Sequence, residues 1–176
     1  MLVPSIPVLY ASGGLTSKRG RSHTFDRRAD GFGRGEACGS ALLGTEECTG
    51  YAQLIGAAVR QDGKSASLTA PNGQAQQALL RAARADAFEM LVSYLEAHGT
   101  GTSLGDPIEA GAFAAASCSP ASGSLAGLGV GSTKANMGHS EPAAGMVGML
   151  RLAIGLVEVL LPPNAQLRVL NAHVME

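Results

Sequence analysis

The chain alternates short apolar runs with glycine-rich polar junctions, and this rhythm is its main structural signal. Gly35 to Leu43 is a run of small and apolar residues and predicts a closely packed central strand. Tyr51 to Val59 predicts a second strand, closed by the turn residues Gln61-Asp62-Gly63-Lys64. After Pro71-Asn72-Gly73, residues Gln74 to Ala87 place Ala78, Leu79, Ala82 and Ala83 on one helical face, with Arg81 and Arg84 at its solvent side. Met90 to Ala97 predicts a strand that runs into His98-Gly99-Thr100-Gly101-Thr102. A helix with Asp106 as its cap and Pro107 in its first position follows to about Ala116. Leu128 to Thr133 predicts the next strand. Ser140 is read as the cap of a long apolar helix that Pro162-Pro163 must end. Strands alternating with helices predict an α/β layered domain, with the polar chemistry at the strand-to-helix junctions.

Composition sharpens this picture. The 176 residues fit one ordinary domain, and 45% hydrophobic against 15% charged residues suits a collapsed chain. Aromatics are 4% with no Trp, so Ala, Leu, Val, Ile and Met must fill the core. With 13 basic and 14 acidic residues there is no global field to hold nucleic acid or an anionic membrane. The basic stretch Lys18 to Arg28 has a single aromatic and, with the rest of residues 11 to 31, reads as a solvated irregular loop. Three cysteines at unrelated spacings signal neither a disulfide framework nor a zinc knuckle and suit a reduced, cytoplasmic compartment. The first ten residues lack the positive region of a signal peptide, and Arg151 and Glu158 within Ala143 to Leu161 argue for a buried helix instead of a membrane span.

The candidate chemistry is carried by two histidines in matched settings. His98 and His139 each follow an apolar strand-like run, and each is flanked by glycines. In open α/β sheets such strand ends converge on one crevice, where two imidazoles can donate hydrogen bonds to an oxygen as it gains negative charge. Lys134 and Glu141 stand close enough in sequence to His139 to tune that site. Gly99, Gly101 and Gly105 fit a tight turn that offers backbone N–H groups and the Thr100 and Thr102 hydroxyls to a ligand. His23 and His173 are read as ordinary surface. The glycine-rich stretch Gly127 to Lys134 lacks the G-K-[ST] order of a phosphate loop, and no His/Cys cluster has metal-ligand spacing.

Four linked motifs bring a family into view. Leu95-Glu-Ala-His-Gly-Thr-Gly-Thr-Ser-Leu-Gly-Asp-Pro-Ile-Glu-Ala110 and Gly131-Ser-Thr-Lys-Ala-Asn-Met-Gly-His-Ser-Glu-Pro-Ala-Ala-Gly145 resemble the second and third signature blocks of β-ketoacyl synthases. Phe25-Asp-Arg-Arg-Ala-Asp-Gly-Phe-Gly-Arg-Gly-Glu36 resembles the segment preceding them. Gln61-Asp-Gly-Lys-Ser with Leu68-Thr-Ala-Pro-Asn-Gly73 is similar to a loop of type I polyketide synthase ketosynthases.

The resemblance implies a thiolase-like layered α/β fold, here mostly its C-terminal half: the end of the N-terminal half over about residues 1–50 and the C-terminal half over about 51–176. It implies decarboxylative Claisen condensation of an acyl thioester with a malonyl-type unit. No cofactor is bound directly. Substrates are carried on the phosphopantetheine of an acyl carrier protein, and the full-length parent is a homodimer. By motif match His98 and His139 are the catalytic histidines, with Lys134 in support. The family's nucleophilic cysteine lies in a D-T-A-C-S-S-type block that has no match here, and none of Cys38, Cys48 and Cys118 stands in such a block. The expectation is therefore a fragment that is inactive by itself. A non-catalytic ketosynthase-like partner, of the chain-length-factor type, is the alternative.

Overall fold

The computed structural model describes residues 5–45, 47, 49–67, 70–88, 91–117, 128–160 and 162–174. At its centre is a parallel pair of short strands, β1 (Tyr94–Glu96) and β2 (Gly129–Gly131), in the register Tyr94↔Gly129, Leu95↔Val130 and Glu96↔Gly131. Both fall inside the runs predicted as strands. Helix α3 (Gly105–Ser117) lies between them in sequence, and α2 (Gly73–Asp86) packs against it. The buried apolar groups are alanines and phenylalanines, among them Ala112, Phe113 and Ala116 of α3, Ala97 just after β1, Ala135 four residues after β2, and Phe25 and Phe32.

Helix α2 begins where its cap dictates. The Asn72 side chain accepts from the Gln74 and Ala75 amides, while its own Nδ2 donates to the Asp62 and Lys64 carbonyls and fastens the preceding turn. The helix α1 (Ser5–Ser12), which no strong pattern announces, tolerates Pro7 because a first-turn N–H has no intrahelical partner anyway. The long apolar run near the C-terminus divides into a 3₁₀ turn over Glu141–Ala143 and helix α5 (Ala144–Glu158). Val159, in the left-handed region at φ 53°, ends α5 before the two prolines are reached. Ser140 stands before the 3₁₀ turn but makes no side-chain capping bond.

Three expectations are corrected. Gly35 to Leu43 and Tyr51 to Val59 run without forming strands, because no neighbouring strand among the described residues offers them a ladder. Leu42 (100% exposed), Val59 (96%), Tyr51 and Leu54 consequently stand in solvent. Gly39 rests against Met146 and Leu150 of α5, and Gly56 against Ala83 and Ala87 at the end of α2, so both stretches follow helices rather than a sheet. Second, the loop over residues 11 to 31 is irregular but not solvated throughout: Ser22, His23, Thr24, Phe25 and Asp26 are buried. His23 is thus an interior residue, whereas His173 is exposed as expected. Third, Asp106 is not the cap of α3. It lies inside the first turn, and Thr102 takes the opening position, its Oγ1 accepting the Gly105 amide at 3.1 Å.

Asp26 explains how an irregular segment can be buried. Its carboxylate accepts the Arg28, Arg168 and Val169 amides and pairs with the Arg28 guanidinium at 2.7 Å. The Arg28 guanidinium, helped by these amides, holds the carboxyl far below the usual carboxylate range against the opposing effect of burial. No helix among the described residues is long and apolar enough to cross a membrane.

Candidate active site

The C-terminal ends of β1 and β2 deliver the site. Beyond Glu96 the chain turns through Ala97, His98 and Gly99. Beyond Gly131 it enters the short helix α4 (Lys134–Met137), after which come Gly138 and His139. The two imidazoles meet, their ring centroids 5.6 Å apart and their planes perpendicular. The edge of the cluster continues to Phe32, 5.1 Å from the His139 ring, and on to Tyr10.

Each histidine is placed by its backbone. Glu109, on α3, accepts the His98 amide with Oε1 at 2.6 Å and the Gly99 amide with Oε2 at 2.8 Å. Thr24 Oγ1 donates to the Gly99 carbonyl at 2.6 Å, and the Asp106 carboxylate accepts both the Phe25 and Gly101 amides. Gly99 has φ 46°, and a Cβ there would stand 2.6 Å from Ser132 Cβ and 2.7 Å from Thr24 Cγ2, so a side chain is excluded. His139 lies opposite Arg34: its amide donates to the Gly33 carbonyl at 2.7 Å and its carbonyl accepts the Gly35 amide at 3.0 Å.

Burial first, and the charges around the rings second, favour their neutral forms. Burial, then the Lys134 ammonium, His98 and the Arg34 guanidinium, push the His139 pKa down to about 4. His98 is lowered too, first by desolvation of its ring and then by Lys134, with Glu109 opposing. Lys134 is itself buried, which lowers its pKa although Glu96 and Glu109 favour its charged form. At neutral pH His139 is therefore an uncharged imidazole. Because its Nδ1 accepts the Glu141 amide at 3.0 Å, its proton resides on Nε2, leaving that N–H as a donor.

The structure thus brings His98, His139 and Lys134 together, with Glu141 beside them. Thr100 is buried, and the Thr102 hydroxyl is engaged at the start of α3 rather than standing free in the turn. Cys38 is exposed and borders a cleft of about 730 Å³ with Arg34, Ser140 and Glu141, whereas Cys48 and Cys118 lie outside the described residues. Among the described residues there is no group of three His, Cys, Asp or Glu that could hold a metal ion.

Sequence reasoning missed the carboxylates behind the site. Glu96 accepts the Thr133 amide and hydroxyl through Oε1 and pairs with Arg151 Nη1 at 2.6 Å, both side chains nearly closed to solvent. Arg151 also bonds the Pro162 carbonyl and lies over the Tyr94 ring, so α5 and the strand end are joined through one ion pair. The available signal was a charged residue set among apolar neighbours: Glu96 in β1 and Arg151 in the middle of α5.

Comparison with known proteins gives the family and the fold. Residues 51–168 match the model of the beta-ketoacyl synthase C-terminal domain and residues 1–48 that of the N-terminal domain. Among curated proteins, the chain is 41% identical over 172 residues to the highly reducing polyketide synthase cm3B of Cordyceps militaris, covering 94% of this chain and 7% of that protein. It is 36% identical over 183 residues to the compactin diketide synthase mlcB of Penicillium citrinum, covering 99% of this chain and 7% of that one. Among solved structures it resembles the ketosynthase from module 6 of the bacillaene synthase of Bacillus subtilis 168, with TM-score 0.83 and 27% identity. It also resembles the oxazolomycin ketosynthase domain OzmH KS7 of Streptomyces albus JA3453, with TM-score 0.81 and 28% identity. The alignments cover 98% and 99% of this chain but 32% and 31% of those chains, so it spans about a third of a solved ketosynthase chain and a small part of the curated synthases. With two domain models matched in order along it and a thiolase-like fold shared with solved ketosynthases, the chain belongs to the β-ketoacyl synthase family.

Proposed function

We propose that this chain supplies the two-histidine part of a ketosynthase site, within a polyketide synthase that extends acyl thioesters by decarboxylative condensation. The observation that carries the reading is the perpendicular contact of two imidazoles, both with lowered pKa, at the ends of adjacent parallel strands. Neutral N–H donors held in place before the reaction stabilise an oxyanion without having to reorganise.

In this reading a malonyl-type thioester, carried on the phosphopantetheine of an acyl carrier protein, loses its carboxylate as carbon dioxide. The electron pair of the broken C–C bond becomes an enolate, whose oxygen accepts hydrogen bonds from His98 and from His139 Nε2–H. The enolate carbon attacks the carbonyl of an acyl group held as a thioester on cysteine. The tetrahedral intermediate then expels the cysteine thiolate and leaves a 3-oxoacyl chain on the carrier. Lys134 supports the site by biasing both rings toward the uncharged form. Thr100 and Thr102 shape the turn after His98, and Glu141 acts beside His139.

No motif in the chain matches the family's cysteine block, so we assign condensation to it only together with a segment carrying that block, and not to the chain by itself. A division near residue 50 into the end of an N-terminal half and a C-terminal half belongs to the same reading, as does a homodimeric parent. The test is malonyl-thioester decarboxylation by a protein in which this chain is joined to a ketosynthase segment bearing the cysteine block. His98→Ala and His139→Ala should each lower the rate by about 10²-fold or more, the scale of losing one oxyanion donor. Lys134→Ala should lower it less. Unchanged rates in both histidine variants would refute the assignment.

A further inference from the structure

His139 is fixed at three points. Two are the backbone bonds to Gly33 and Gly35, which set residue 34 directly opposite it. The third is the Glu141 amide on its Nδ1. That third contact depends on an unusual backbone, since Glu141 has φ 52°, in the left-handed region that side-chain-bearing residues rarely occupy. The turn's own bond, from the Ala144 amide, ends on the Glu141 carbonyl and not on the amide that meets His139, and residue 141 is not a glycine.

The side chain does. Glu141 Oε1 lies 2.7 Å from Arg34 Nη1, and the two side chains are 15% and 28% exposed. Both atoms are closed to solvent and neither makes a hydrogen bond, so the charge of each is compensated through the ion pair. The approach of the two segments is close enough to need glycine: Gly138 has φ 84°, and a Cβ there would stand 2.7 Å from the Arg34 carbonyl oxygen. Arg34 is thus held in register with His139 by main chain and bound to Glu141 by charge.

We propose that the Arg34–Glu141 ion pair is a latch that keeps residue 141 in its left-handed conformation, so that the Glu141 amide stays on His139 Nδ1 and the ring proton stays on Nε2. Arg34 and Glu141 are positioning residues here. They act on the tautomer, whereas Lys134, His98 and the Arg34 charge act on whether the ring is protonated at all. The proposal rests on the ketosynthase reading only for the use made of the Nε2 proton, because the tautomer follows from the Glu141 amide on Nδ1 and is measurable without turnover.

The experiment is imidazole ¹⁵N NMR of the whole chain. In the unaltered protein His139 should show one tautomer, with an unprotonated acceptor Nδ1 and a protonated Nε2. Glu141→Gly relieves the backbone strain and so should fold at least as readily, yet it removes the latch. It should lose the single tautomer and show a mixture of both forms. Arg34→Gln should do the same, and the charge-swapped pair Arg34→Glu with Glu141→Arg should restore the single form. A single Nε2–H tautomer retained in Glu141→Gly, or an Nδ1–H tautomer in the unaltered chain, would overturn the proposal. A joined protein that fails to decarboxylate malonyl thioester would refute the ketosynthase reading while leaving the tautomer result in place, so the two failures are distinguishable.

Discussion

Residues 22–33 and the stretches 36–45 and 49–60 are both almost free of regular structure, yet one is buried and the other is not. The buried segment is the more polar of the two. It contains Asp26 and Thr24 and borders Asp106, whose side chains meet amides and carbonyls that no helix or strand satisfies. The exposed stretches carry Leu42, Leu43, Tyr51, Leu54 and Val59, but the described residues give their backbones no partner strand. Hydrophobicity alone therefore does not place a segment in the interior. Burial needs a partner for each backbone polar group as well, and here carboxylates provide it.

The strongest way to break this comparison is to remove Asp26. Its side chain is fully buried, and Asp26→Ala leaves the Arg28, Arg168 and Val169 amides without their acceptor, while the Arg28 guanidinium keeps only the Gln166 carbonyl. The expected loss is about 3 kcal/mol in urea denaturation, since each donor left unsatisfied in the interior costs about 1–3 kcal/mol. A loss below about 1 kcal/mol would mean that the segment is held by its phenylalanines instead.

The pH dependence of stability should show two opposed groups. Burial raises the Asp106 pKa to about 6 from 3.8, against the Phe25 and Gly101 amides that favour the carboxylate, so its contribution is complete below 3.8 and is lost as pH rises through 6. His139 is lowered to about 4 from 6.5, so its contribution is present above 6.5 and is lost as pH falls through 4. His98, shifted in the same direction, adds to His139. The net expectation is stability that climbs between about pH 4 and 6.5, blunted by Asp106. Urea midpoints measured across that window should rise more steeply in Asp106→Asn and flatten in His139→Gln. Identical slopes in both variants would show that neither group is perturbed as described.

How much of this could be read from the chain follows the same division. The helix over Gly73–Asp86 and the strand around Tyr94 were legible because turn chemistry and local periodicity carry them within a few residues, and the meeting of His98 with His139 because the ends of strands in an α/β sheet converge. The thiolase-like family was legible from motif order. What failed depended on distant partners. Gly35 to Leu43 has the pattern of a strand, but a strand exists only beside another. His23 and Asp26 sit in a basic, polar stretch that reads as surface, and only the Val169 and Arg168 amides, some 140 residues away, make Asp26 an interior residue. The Arg34–Glu141 pair was hidden likewise, since 107 positions of sequence separate two side chains that the backbone bridge between Arg34 and His139 brings together.

The smallest expected effect tests the exposed side of the comparison. Leu42 is fully exposed and Val59 nearly so, and neither fills a space that a serine would leave empty. Leu42→Ser and Val59→Ser should each change stability by no more than about 0.5 kcal/mol, while removing apolar surface that favours association. Sedimentation of the two variants should show less self-association than the unaltered chain at equal concentration. If either substitution instead cost more than about 1 kcal/mol, and the cost vanished on dilution, those side chains would be covered by a second molecule in solution. The stretches would then belong with the buried segment after all, their missing partners supplied from outside the chain.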